Sequence, residues 1–153
     1  TELAAKSPPD GYTLLAGGSA ALAINPHLYK NIGYDTLRDF APITIIHNNI
    51  FSVCVNPSVP VRNVAELVAL AKKRGDKRLT YGTPGLGNAL HVASEIFAMK
   101  AATPLLHVPY KSGPAAQTDL LGGRLSLYLG GIPVNMPAIR SGKVKPLGTS
   151  GPA

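Results

Sequence analysis

Chemistry needs reactive side chains at workable spacing, and this sequence offers few. The four histidines, His27, His47, His91 and His107, do not show the spacing of metal ligands. No serine sits in a Gly-x-Ser-x-Gly elbow, and the eight Asp and Glu include no pair whose context suggests an acid and a base at one site. The expectation is a chain that is not an enzyme, with no metal and no cofactor. Glycine is the more informative residue. Four runs end in short loops that open helices: Gly17-Gly18-Ser19, the stretch from Gly82 to Asn88, Ser112-Gly113-Pro114, and Gly130-Gly131. Glycine lets a backbone approach a ligand closely, and a helix start offers unpaired N–H groups carrying about half a positive charge. Each loop alone is ordinary turn chemistry; together they point to an anion site. Thr83 and Asn88 either add side-chain donors there or only order the turn and cap its helix. His91 falls in the first turn after the longest loop, where it either faces a ligand or is a half-exposed structural histidine. The stretch 82–88 lacks the Gly-Lys-Ser/Thr of a phosphate-binding loop, and Leu90 stands where a dinucleotide fingerprint needs its third glycine.

Those loops need strands and helices to hold them. Tyr12-Thr13-Leu14-Leu15-Ala16 is β-prone and follows the turn signal Pro8-Pro9-Asp10-Gly11; Ser19 then reads as the N-cap of a helix to Leu28, broken near Pro26. Residues 43–46 and 51–55 read as strands. Asn63 with Glu66 makes a capping-box-like start, and Val64, Leu67, Val68 and Ala71 recur on one helical face before Gly75. A strand at 79–81 precedes the long glycine loop, and Asn88 opens a helix with Leu90, Ala93 and Phe97 inward. Residues 106–110 form another strand, Ser112 starts a helix with proline at its first position, and Gly122-Gly123 ends it. Leu125, Leu127 and Leu129 alternate as a strand face, Gly130-Gly131 turns, a helix runs over about 133–140, and 144–149 is a last strand. Alternating strands and helices give an α/β fold with a mainly parallel sheet covered on both faces. Its ligands belong at the carboxyl ends of the strands.

The bulk numbers agree with a globular chain. The 153 residues are 45% hydrophobic, and no apolar run is long enough to cross a bilayer. The net charge of +7 suits an anionic partner. The densest basic cluster, Lys72, Lys73, Arg74, Lys77 and Arg78, lacks interleaved aromatics and reads as a solvated helix end, so nucleic acid is not expected. Cys54, the single cysteine, reads as a buried strand residue.

Seven motifs occur in order: Pro9-Asp10-Gly11-Tyr12-Thr13-Leu14-Leu15, Asn25-Pro26-x-Leu28-Tyr29, Asp39-Phe40-Ala41-Pro42-Ile43, Val55-Asn56-Pro57-Ser58-Val59-Pro60, Tyr81-Gly82-Thr83-Pro84-Gly85-x-Gly87, His107-Val108-Pro109-Tyr110-Lys111 and Asp119-Leu120-Leu121-Gly122-Gly123. In this the chain resembles the Bug (Bordetella uptake gene) or TctC family, the periplasmic substrate-binding proteins of tripartite tricarboxylate transporters. The resemblance implies a type II periplasmic-binding-protein-like fold, with the second lobe nearly complete and part of the first: residues 1–55 as partial first lobe, 56–148 as second lobe, and 149–153 as the start of a return crossing. It implies a periplasmic location, a small carboxylate ligand and membrane transporter subunits as partners. Carried over by position, the ligand loops are Gly17, Gly18, Ser19 and Ala20, then Thr83, Gly85, Gly87 and Asn88. Many members carry an aspartate where this chain has Gly130, next to Gly131. Members also extend beyond both ends of this sequence, which makes a truncated, ligand-free module that associates through its open lobe the alternative expectation.

Overall fold

The structure is a computed structural model that describes residues 1–75 and 77–151. It divides into two compact units, residues 1–47 with 87–89, and residues 48–86 with 90–153.

In the first unit, α1 (Glu2–Ala5) carries an exposed Lys6–Glu2 ion pair at 2.5 Å. A single π-helical turn, Ala20–Ile24, leads into α2 (Asn25–Leu28). Pro26 supplies the reason for the wide turn. It has no N–H, so the helix is re-paired at the junction, where the Asn25 N–H donates to the Ala20 carbonyl. Ser19 precedes this helix as expected, but its side chain makes no capping bond. Two expected strands do not form: residues 12–16 and 43–46 are irregular, and Tyr12, Leu14, Ile43, Ile45 and Ile46 are exposed. β propensity reflects pairing and half-burial rather than an intrinsic backbone preference, and neither run has a ladder partner among the described residues. The carboxylate of Asp35 instead organises a turn, accepting from the N–H groups of Leu37 and Arg38.

The second unit is a five-stranded sheet in the order β3-β2-β4-β1-β5. Its strands are β1 (Phe51–Val55), β2 (Leu79–Thr83), β3 (Leu105–Pro109), β4 (Leu127–Gly131) and β5 (Lys145–Thr149). β2 is parallel to β3 and β4, while β1 is antiparallel to both β4 and β5. Four strands therefore share one direction and only β1 opposes them, close to the mainly parallel sheet expected. The strand 51–55, assigned from sequence to the first lobe, lies inside this sheet.

Helices cover both faces. α3 (Val64–Lys73) opens as its sequence dictates: the Asn63 side chain accepts from the Glu66 N–H at 2.8 Å, and the Glu66 carboxylate accepts from the Arg62 N–H at 2.8 Å. Gly75 at φ +51° follows its end. One face of the sheet packs Val53, Val55, Leu79, Tyr81, Leu127 and Leu129 against Leu67 and Ala71 of α3 and against Ala93 and Phe97 of α4 (Ala89–Lys100). The opposite face packs Cys54 and Tyr128 against Ala116 and Leu120 of α5 (Gly113–Leu121) and Ala138 of α6 (Ile132–Arg140). Leu125 belongs to this second cluster, not to the face of Leu127 and Leu129, because it precedes β4 and is outside the two-residue alternation. Gly130 and Gly131 continue β4 rather than forming a turn, and Pro114 is the second residue of α5, not the first. Cys54 is fully buried, and burial pushes its thiol pKa up.

Candidate functional site

Because β2, β3 and β4 are parallel neighbours, their carboxyl ends meet at one edge of the sheet. Thr83, Pro109 and Gly131 stand there, and the N-terminal residue of the reversed β1, Phe51, joins them opposite Gly131. Gly82 is part of the strand, not of the loop: a Cβ there would lie 2.5 Å from Cδ1 of Leu125, so glycine is required by packing. The loop begins after Thr83, the last residue of β2. Gly85 (φ +110°) and Gly87 (φ +71°) both occupy conformations that favour glycine, which fixes the path toward α4. Asn88 directly precedes α4.

Thr83 is fully buried, and its hydroxyl is engaged twice. It donates to the Gly85 carbonyl at 3.1 Å and lies 2.6 Å from Nε2 of His107. A hydroxyl has one proton, and the carbonyl can only accept it. The Thr83 oxygen must then accept from His107, which assigns the ring proton to Nε2. Thr83 thus braces the loop through its side chain. His107 is stacked on Tyr81 at 5.0 Å and meets His91 at 4.3 Å between ring centroids. Burial, and secondarily the nearby His91, lower the pKa of His107, so it is neutral at pH 7. The Tyr81 hydroxyl donates to Glu95, and burial with this bond raises its pKa.

A second group sits beside the β3–α5 junction. The Ser112 side chain accepts from the Ala115 N–H at 3.4 Å, the cap expected from its position. Tyr110 donates to Asp119 at 2.7 Å, and Arg124 donates to the same carboxylate at 2.7 Å. Asp119 is therefore engaged, not simply solvent-facing; Arg124 first, then Tyr110, holds its pKa down, while burial and the Asp119 bond push Tyr110 up to about 12. At β4, Ser52 donates to the Gly130 carbonyl at 3.1 Å, and Asn135 donates to Ser52 at 2.8 Å. A side chain at 130 has no room: its Cβ would lie 2.4 Å from Cε1 of Tyr128 and 2.8 Å from Nδ2 of Asn135.

Of the residues singled out from sequence, Thr83, Gly85, Gly130 and Gly131 lie at this strand-end edge, and His91 reaches it through His107. Gly17, Gly18, Ser19 and Ala20 belong to the first unit, as do Gly87 and Asn88. Gly17 packs under Leu22, whose Cδ1 would be 2.3 Å from an added Cβ, while Gly18 has open space around it. The bracing role of His107 and the path of Tyr128 are not apparent from sequence, since both depend on residues far apart in the chain. Among the described residues, no group of three His, Cys, Asp or Glu is placed to hold a metal, and no helix is long and apolar enough to cross a membrane.

The architecture is that of periplasmic binding proteins. It matches a chain described as a periplasmic transporter with a TM-score of 0.85 at 35% identity, covering 99% of this chain and 51% of that one. The R. palustris protein Rpa4515, solved with adipate, matches with a TM-score of 0.83 at 33% identity, covering 97% and 50%. The chain belongs to the TctC family, described as the tripartite tricarboxylate transporter family receptor, which it matches over residues 1–152. Among its relatives are the UPF0065 protein of the tcbD-tcbE intergenic region of a Pseudomonas species, 32% identical over 98% of this chain and 44% of that protein, and BugT of Bordetella pertussis, 31% identical over 96% and 45%. The chain spans less than half the length of these curated relatives.

Proposed function

We propose that this chain is part of a periplasmic, non-catalytic solute-binding protein that captures a small carboxylate and delivers it to the membrane subunits of a tripartite tricarboxylate-type transporter. The observation that carries this reading is the alignment of three parallel strand ends at one edge, each followed by a glycine-containing helix start. Helix starts supply N–H donors and positive potential without a titrating group, which suits a carboxylate that must be held and then released unchanged. The adipate held by Rpa4515 supports the ligand class. In this reading Gly85, Gly87 and Asn88 line the ligand loop, and Thr83 and His107 fix its shape. Unit 2 corresponds to the second lobe. Titration calorimetry with adipate, succinate, glutamate and benzoate tests it: saturable binding of at least one acid is expected, and no binding of any overturns it.

The exposed side chains of Leu37, Ile43, Ile45 and Ile46 favour a second reading, self-association through the first unit. Light scattering decides this point; a monomer at micromolar concentration eliminates it.

A further inference from the structure

The side chain of Tyr128 takes an unusual course. It arises from the second residue of β4, opposite Gly82, and its ring is buried on the α5 and α6 face, with 2% of the residue exposed. The ring does not stand straight off the sheet. It leans along the strand toward the carboxyl edge, across the position where a side chain at Gly130 would be: Cε1 and Cδ1 lie 2.4 and 3.0 Å from that position. Its hydroxyl ends 3.1 Å from the point where a Cβ of Gly113, the first residue of α5, would sit. Two glycines that are distant in sequence thus clear a slot through which a phenol reaches the start of a helix.

At its end the hydroxyl makes no hydrogen bond to a described residue and keeps contact with solvent, although the ring behind it is buried and burial raises its pKa. A phenol held this way presents an open donor at the helix start. The first turn of α5 has a matching opening. Pro114 has no N–H, Ala115 donates to the Ser112 side chain at 3.4 Å, and Ala116 donates to the Ser112 carbonyl at 3.3 Å. The Gly113 N–H is the donor of that turn left over. A phenol O–H and a backbone N–H, both donors at the positive end of a nine-residue helix, call for an acceptor with negative charge.

We propose that Tyr128 is a ligand-binding residue whose hydroxyl, with the Gly113 N–H, holds one carboxylate oxygen of the bound acid at the start of α5. This rests on the carboxylate-binding reading above and adds a specific contact to it. It also gives Gly130 a role: the side chain that its absence makes way for is the tyrosine.

The test is titration calorimetry of the full chain with adipate, succinate, glutamate and benzoate, combined with thermal unfolding in the absence of acid. Tyr128→Phe keeps the ring and removes only the hydroxyl. It is expected to weaken the best-bound acid by about tenfold or more. The ligand-free unfolding midpoint should stay within about 3 °C of the parent, since no protein partner is lost. Gly113→Ala, which places a carbon against the hydroxyl, should weaken binding comparably. Parent-like affinity in both variants overturns this contact while leaving the carboxylate reading intact. A large drop in the midpoint of Tyr128→Phe shows a structural partner and also overturns it. Failure of the parent to bind any of the four acids overturns both.

Discussion

Residues 1–47 and the five-stranded unit are built from similar raw material with opposite outcomes. Both contain β-branched and aliphatic runs flanked by Gly, Pro and Asn. Within 1–47 no residue is buried, and Leu37 and Ile43 are 94% and 79% exposed. In the second unit the comparable runs supply Val53, Val55, Leu79, Leu127 and Leu129, all nearly or fully out of water. The difference is not composition. The run 51–55 has β4 on one side and β5 on the other, whereas 12–16 and 43–46 have no ladder partner among the described residues. An apolar strand contributes stability only where partners cover it.

The sharpest way to break this contrast is a pair of truncations read by urea unfolding. Leu127→Ala is expected to cost about 3 kcal/mol, from lost transfer energy plus a cavity between α3 and the sheet. Ile45→Ala should fall within about 0.5 kcal/mol of the parent. Equal costs would mean that 43–46 is covered after all. A smaller effect concerns helix starts. Asn63→Ala should cost about 1 kcal/mol, because the Asn63 side chain accepts from Glu66, while Ser19→Ala should cost only a few tenths, since Ser19 makes no capping bond.

The smallest effect is one of pH. The folded-state pKa of His107 is depressed below its ordinary value of 6.5 by burial and by His91. The unfolded chain therefore binds more protons between 6.5 and that lower value, and stability is lost as pH falls through this window. Below the folded pKa the loss levels off. His107→Gln, which keeps a donor toward Thr83 without a titrating ring, should flatten that part of the pH profile of unfolding. An unchanged profile would place the titration elsewhere.

Local signals in the sequence were legible. The bounds of β1, the Asn63 cap, the stop at Gly75 and the buried state of Cys54 all follow from short-range rules, and the structure keeps them. What depended on distant partners was not. Strand propensity at 12–16 and 43–46 could not reveal that no neighbour pairs there. Alternation of Leu125, Leu127 and Leu129 concealed that β4 begins only at Leu127. The glycine pattern singled out Gly85, Gly130 and Gly131, which the structure places at the ends of β2 and β4. The course of the Tyr128 ring past Gly130 toward Gly113 was not legible, and the Thr83 hydroxyl was left open because its partner His107 lies 24 positions away.

The single reversed strand has a further consequence, for the order of events as the chain is made. β1 is synthesised before every other strand of the sheet, yet it sits between β4 and β5, which come last. At roughly 5–20 residues per second, its two neighbours emerge several seconds after it does. Until then Phe51-Ser52-Val53-Cys54-Val55 is an uncharged, β-prone segment with both edges open, the kind of stretch that a holding chaperone binds and that aggregates when none is present.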